Sequence, residues 1–275
     1  MEALSNSMLV AVTFAYLGAS VLYLCNGVFK RDLFGTAATV ATVLALAVHT
    51  VAIILRWVAS YELGFGRAPF SDLFESLVLF GWTITLIYLI IEFRTKLKVI
   101  GAYAMPLAFF AMLYALKEQT IIKPLMPALK SYWLIAHVIT CFLGYAGFAV
   151  SAALSVMYLV TGQEKNPKSE RALLLDELIY QTVVVGFILL TAGIVTGSIW
   201  ANSAWGTYWQ WDPKETWSLI TWLVYAAMLH SRYMRGWHGR RLAWFSLIGF
   251  GCVLFTYFGV NLLLSGLHSY ATGKG

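Results

Sequence analysis

Along most of this chain apolar residues run on without the interruptions that a water-facing helix or a half-buried strand requires. Eight such runs, each of about 20 residues, stand out at roughly Met8–Phe29, Phe34–Val58, Leu73–Phe93, Leu97–Leu116, Tyr132–Val160, Ile179–Trp200, Thr216–Met234 and Leu242–Leu264. Each is long enough to cross a bilayer as a helix, and none has the period-two alternation of outer-membrane strands. The predicted fold is therefore all-α, a polytopic membrane protein of about eight transmembrane helices, because only helices satisfy their own backbone in lipid. No internal repeat or linker divides the chain, so residues 1–275 read as a single membrane domain. Pro106 falls within the fourth run, where a missing backbone donor predicts a kink.

Composition agrees with this pattern: 60% hydrophobic and 12% charged residues, with positive mean hydropathy, leave too little polar surface for a soluble globule. The placement of charge adds an orientation. The first, third, fifth and seventh loops carry Lys30, Arg31, Arg94, Lys96, Lys98, Lys165, Lys168, Arg171, Arg232, Arg235, Arg240 and Arg241, which is 12 of the 19 basic residues. Those loops should be cytoplasmic. An even number of spans then places both termini outside, together with the loop between spans six and seven. The net charge of +6 is explained by topology and calls for no nucleic-acid partner. The first run exceeds a signal-peptide core and has no basic residues before it, so it reads as a span. Cys25, Cys141 and Cys252 lie inside spans, at no metal-binding or redox spacing, and read as small buried residues.

Six of the eleven tryptophans lie between Trp200 and Trp222, and the loop at about 200–217 holds most of them at the outer surface. Large flat rings at that level suit a large flat ligand. The five histidines narrow the choice. Counting 1.5 Å per residue, His49 and His230 sit roughly 14 and 21 Å below the outer surface. An ionisable ring at that depth needs a partner. Either alone is equally served by a hydrogen bond across a helix interface, whereas two on different helices point to a shared ligand, and imidazole is a common axial ligand of haem iron. His137, five residues into span five, and His268, four residues past span eight, flank the tryptophans. Without the loop they read as ordinary interfacial histidines; with it they form a candidate pair for clamping an iron while Trp205, Trp209 and Trp211 offer apolar surface to a macrocycle. His238, among Arg235, Arg240 and Arg241, suits anionic inner-leaflet lipid and stays outside the site. Lys214 is either a partner for a propionate or an ion pair for Glu215. Asp212, ahead of Pro213, reads as the cap of span seven, and Trp217 as an interfacial anchor. Asp72 and Glu75 suit the N-terminus of span three.

The run Trp205-Gly-Thr-Tyr-Trp209-Gln-Trp211-Asp212-Pro-Lys214-Glu215-Thr-Trp217 resembles the tryptophan-rich WWD motif of haem-handling proteins, in the form found in the CcsA/ResC family of cytochrome c biogenesis. Gly66-Arg-Ala-Pro69-Phe-Ser71-Asp72-Leu-Phe-Glu75-Ser76 and Leu229-His230-Ser-Arg232, followed by Gly236-Trp237-His-Gly239, are similar to further stretches of that family. The likeness runs from about Ala41 to the C-terminus, with Arg67 standing where relatives often have histidine. The resemblance implies an external ligand pair, His137 and His268, and a membrane pair, His49 and His230, for haem b held non-covalently in transit. It also implies a ResB/CcsB-type membrane partner and a subunit role in a holocytochrome c synthase. That enzyme would add the thiols of an apocytochrome c Cys-x-x-Cys-His motif to the haem vinyl groups. A CcmC-like haem delivery protein is the nearest alternative; a transporter or quinone-linked redox subunit is another. A bacterial inner (plasma) membrane is the expected location, and a thylakoid membrane also fits an extracytoplasmic site.

Overall fold

A computed structural model describes residues 1–264. Each apolar run begins or ends where a cap, a proline or a left-handed residue stops the helical ladder. Helix α1 (Glu2–Phe29) closes on Lys30 and α3 (Leu73–Thr95) on Lys96, both with positive φ, so a lysine ends each helix where the dipole favours a cation. The intervening α2 spans Asp32–Glu62. A 3₁₀ turn at Lys98–Ile100 leads into α4 (Gly101–Ala115), which contains Pro106. Ser131 accepts from the Trp133 amide to start α5 (Tyr132–Val160), and Ser169 from the Ala172 amide to start α6 (Glu170–Trp205). Helix α7 runs Pro213–Arg235, and α8 runs Arg240–Leu254 before a π-turn at Phe255–Gly259 and a last helical turn at Val260–Leu263.

Among the described residues these are eight helices and no strands, in line with the all-α expectation. Seven of them are long and apolar enough to cross a membrane. Helix α7, at 23 residues, has the length of a span but is less apolar than the rest. Thr216, Ser218, Thr221, Ser231 and Arg232 interrupt it.

The helices fall into two compact units, Met1–Lys130 and Ser131 onward. In the first, α1 packs along α2 and α4, and α3 along α4. Ser5 donates to the Ala52 carbonyl at 2.9 Å. The buried Glu92 carboxylate accepts from Tyr23 at 2.7 Å and from Tyr88 and Thr39. In the second unit, α5 lies along α6 and α8. Ser151 and Ser246 share a hydrogen bond of 2.8 Å, and Phe148 stacks on Tyr225 at 3.6 Å.

The α2–α3 connection is organised by charge. Asp72, expected only to suit the dipole at this helix start, caps α3 by accepting from the Glu75 amide at 2.8 Å. Glu75 does more than meet the helix dipole. Its buried carboxylate accepts from Arg56 Nε at 2.9 Å and from Arg67 Nη1 at 2.6 Å, and Asp72, 3.7 Å from Arg67, brings the second negative charge to the pair of buried guanidinium groups. Arg67 also donates to the Lys123 carbonyl at 2.8 Å, and Arg56 to the Thr120 carbonyl at 2.8 Å, which ties the chain after α4 to this corner.

Removing one member of such a buried set leaves its partners charged and unpaired. Glu75→Gln is expected to cost about 3–5 kcal/mol, read as a lowered thermal midpoint in detergent or as reduced accumulation in the membrane. The Asp72 carboxyl is pushed up to about 6, first by burial and then by the charge of Glu75, against the opposing pull of its own cap bond, Arg56 and Arg67. The folded chain thus holds that proton more tightly than the unfolded chain, so this group's contribution to stability falls as pH rises from about 4 to about 6 and is level above. Asp72→Asn should flatten that part of the pH–stability profile; a slope identical to wild type would refute the assignment.

Candidate functional site

The second unit carries His137 and the tryptophan-rich loop on adjoining elements. His137 stands in the second turn of α5 and faces α6. Its Nδ1 lies 2.7 Å from the Gly193 carbonyl oxygen. A carbonyl only accepts, so Nδ1 is the donor in this contact. The ring fits because α6 offers glycine twice, one turn apart. A Cβ on Gly197 would come within 2.5 Å of His137 Nδ1, and one on Gly193 within 2.5 Å of Cys141 Sγ. Cys141, itself buried, sits one turn along α5 from the histidine.

The imidazole is nearly parallel to the fully buried Trp200, with ring centres 6.1 Å apart and planes inclined by 14°. Trp205 meets Trp200 edge-on at 6.2 Å, and its indole Nε1 is buried without a hydrogen-bond partner. Gly206, with φ of 79°, ends α6 there. Trp209 and Trp211 form a second edge-on pair at 5.8 Å, and Trp211 is 68% exposed. Asp212 caps α7 in a reciprocal capping box with Glu215, as its place before Pro213 suggested.

The remaining tryptophans of the run are structural. Trp217 packs on Phe255 at 4.1 Å, and Trp222 donates to Thr191 of α6 at 2.9 Å. A threonine that makes α7 less apolar does similar work: Thr221 shares a hydrogen bond of 3.0 Å with Thr256 of the π-turn that follows α8.

The other histidines divide differently. His49 belongs to the first unit and is completely buried. Its Nδ1 lies 3.0 Å from the Tyr16 hydroxyl, while Nε2, on a ring that also sits by the Val78 carbonyl, has no hydrogen-bond partner. A held Nδ1 with an unsatisfied Nε2 is the posture of a ligating imidazole, yet the ring is sealed by packing. His230 is on α7 in the second unit, with its side chain exposed. His268 lies outside the described residues. His238 is engaged elsewhere: its Nδ1 is 3.1 Å from Asp176, which also takes Arg232 at 2.7 Å and the Gly239 amide at 2.6 Å.

Sequence reasoning missed Trp200, Gly193, Gly197 and Tyr16. The two glycines left a signal, a four-residue spacing on a helix next to a histidine-bearing one. Tyr16 left none, because its pairing with His49 is made across two helices.

The family model described as cytochrome C assembly protein matches residues 70–268. The chain belongs to that family. Relatives named cytochrome c biogenesis protein CcsA include that of Guillardia theta, 40% identical over 84% of each chain, and that of Synechococcus elongatus, 38% identical over 94% of this chain and 95% of the other. That of Pyropia yezoensis is 36% identical over 98% of both. This assembly-family chain is also similar to a solved structure of cytochrome c haem lyase CcmF, with a TM-score of 0.73 and 22% identity, covering 99% of this chain and 50% of that one. That likeness is one of fold, and the chain spans half that structure's length. Membership makes this a multi-pass membrane protein of cytochrome c biogenesis and ties it to haem handling.

The room left for His137 is the most directly testable feature. Gly197→Ala is expected to destabilise the detergent-solubilised protein by about 1–3 kcal/mol through overpacking. Gly251→Ala, at a position with open space, should be nearly neutral. Equal thermal midpoints for the two variants would show that the His137 ring yields freely.

Proposed function

We propose that this chain carries haem through the membrane and presents it to apocytochrome c, as the haem-handling subunit of a cytochrome c synthase built with a ResB/CcsB-type membrane partner. The observation that carries this reading is the placement of His137: its Nδ1 is held 2.7 Å from the Gly193 carbonyl oxygen, which fixes the ring on the same unit as the tryptophan-rich loop. A neutral imidazole binds haem iron firmly but is exchangeable, which suits a cargo that must be released.

In this reading the loop and His137 face the extracytoplasmic side, the basic loops face the cytoplasm, and His268 supplies the second external ligand. His49 and His230 hold haem b earlier on its route, and the sealed packing around His49 must part to admit it. Trp205, Trp209 and Trp211 provide apolar surface against the macrocycle. Ligation from both sides keeps oxygen from the iron until the histidine of the incoming Cys-x-x-Cys-His motif replaces one ligand. Each reduced thiol then adds across a vinyl double bond: the sulfur–carbon bond forms, the thiol proton passes to the neighbouring carbon, and no net oxidation occurs. The chain's own contribution is positioning rather than acid–base chemistry. A bacterial inner membrane or a thylakoid membrane would each provide the required compartment.

The test is an absorption spectrum of detergent-purified protein, oxidised and reduced, together with holocytochrome c formation in cells. Wild type should carry low-spin haem; His137→Ala should lose most of it and abolish maturation while the protein remains in the membrane. Haem-free wild type, or wild-type maturation in both His137→Ala and His268→Ala, would overturn the proposal.

A further inference from the structure

Trp211 has a φ of 58°, in the left-handed region where a bulky side chain is disfavoured by the crowding of its Cβ against the backbone. Glycine would be at ease there, so the strain is carried by a residue whose side chain is large and largely exposed. The surrounding bonds show how it is held. The amides on either side of Trp211 converge on one oxygen: Gln210 N donates to Glu215 Oε2 at 2.8 Å and Asp212 N donates to the same atom at 3.2 Å. The Trp211 carbonyl accepts from Thr216 Oγ1 at 3.3 Å. Two amides gathered around a left-handed residue form the concave donor arrangement that favours an anion, and here the anion is part of the chain. A capping box accounts for the bond to Asp212, but not for the bond to Gln210, which lies two residues before the cap.

We propose that Glu215 is a positioning residue that holds Trp211 in its left-handed conformation and so fixes the outward pose of the indole against Trp209. Glu215 acts through the backbone and does not touch the ligand. The inference rests on the reading that the tryptophan loop receives haem, and it adds which group gives that loop its shape.

The experiment uses full-length protein in detergent, titrated with haemin and followed by Soret absorbance, beside the circular dichroism couplet of the tryptophans in the far ultraviolet. Glu215→Gln keeps an oxygen that accepts both amides and should retain wild-type affinity and couplet. Glu215→Ala should bind haemin about tenfold more weakly, the effect of losing two modest hydrogen bonds, with a diminished couplet. Glu215→Asp keeps the charge but falls a methylene short, should behave like the alanine variant, and serves in its place where that variant does not accumulate. In a Trp211→Gly background, Glu215→Ala should change affinity no further.

Wild-type affinity in both the alanine and aspartate variants, failure of the glutamine variant, or an undiminished effect of Glu215→Ala in the Trp211→Gly background would each overturn the assignment. A wild type that binds no haemin would instead overturn the haem reading. The couplet, lost in the alanine and aspartate variants but kept in the glutamine variant, would still support Glu215 as the brace.

Discussion

In the second unit α5 and α6 approach each other closely, and the candidate site depends on that approach. A Cβ on Gly144 would lie 3.0 Å from the Gly186 carbonyl oxygen and 3.0 Å from the Leu190 amide, and one on Gly147 would lie 3.1 Å from the Thr182 carbonyl oxygen. The helices touch backbone to backbone. In lipid, where apolar burial gives little drive for association, such contact through small residues lets dispersion forces hold helices together. The same seam continues to Gly193 and Gly197, and it is there that α6 turns from partner into receptor. Its Gly193 carbonyl accepts a hydrogen bond from His137, and its missing side chain at Gly197 leaves space for the ring. The packing that joins the helices also fixes the histidine's orientation.

A second constraint is the management of buried charge. Glu75 takes two guanidinium groups, Asp176 takes Arg232, the Gly239 amide and His238, and Glu92 takes three hydroxyls. Each carboxylate is satisfied by groups from separate parts of the chain, so each pins a connection that hydrophobic contact alone would leave free to slide. Arg67 illustrates the consequence. It belongs to the charge cluster at the head of α3 and to the chain after α4.

The six clustered tryptophans, uniform in the sequence, take separate roles in the fold. Trp200 backs the histidine, Trp217 and Trp222 fasten α7 to its neighbours, and Trp205, Trp209 and Trp211 remain around the loop. The division follows helical geometry. Residues on α6 and α7 are turned inward or outward by their position in the turn, whereas Trp209 and Trp211 lie between the helices and take their direction from bonds to the first turn of α7.

What the sequence determined by itself was the local and the one-dimensional: seven helices from apolar length, the cap at Asp212 and the acidic start of α3 from residue type beside a helix start, and the loop of tryptophans from density alone. These follow from interactions between residues close in the chain, or between the chain and its solvent. Tertiary structure decided the rest. How the His137 ring is held depends on a carbonyl 56 positions away. The partner of His49 is a tyrosine on another helix, the two arginines at Glu75 meet only when α2 and α3 fold back, and the left-handed turn at Trp211 is seen only in backbone angles. Such facts arise where distant segments converge, and neither periodicity nor composition encodes which segments those are.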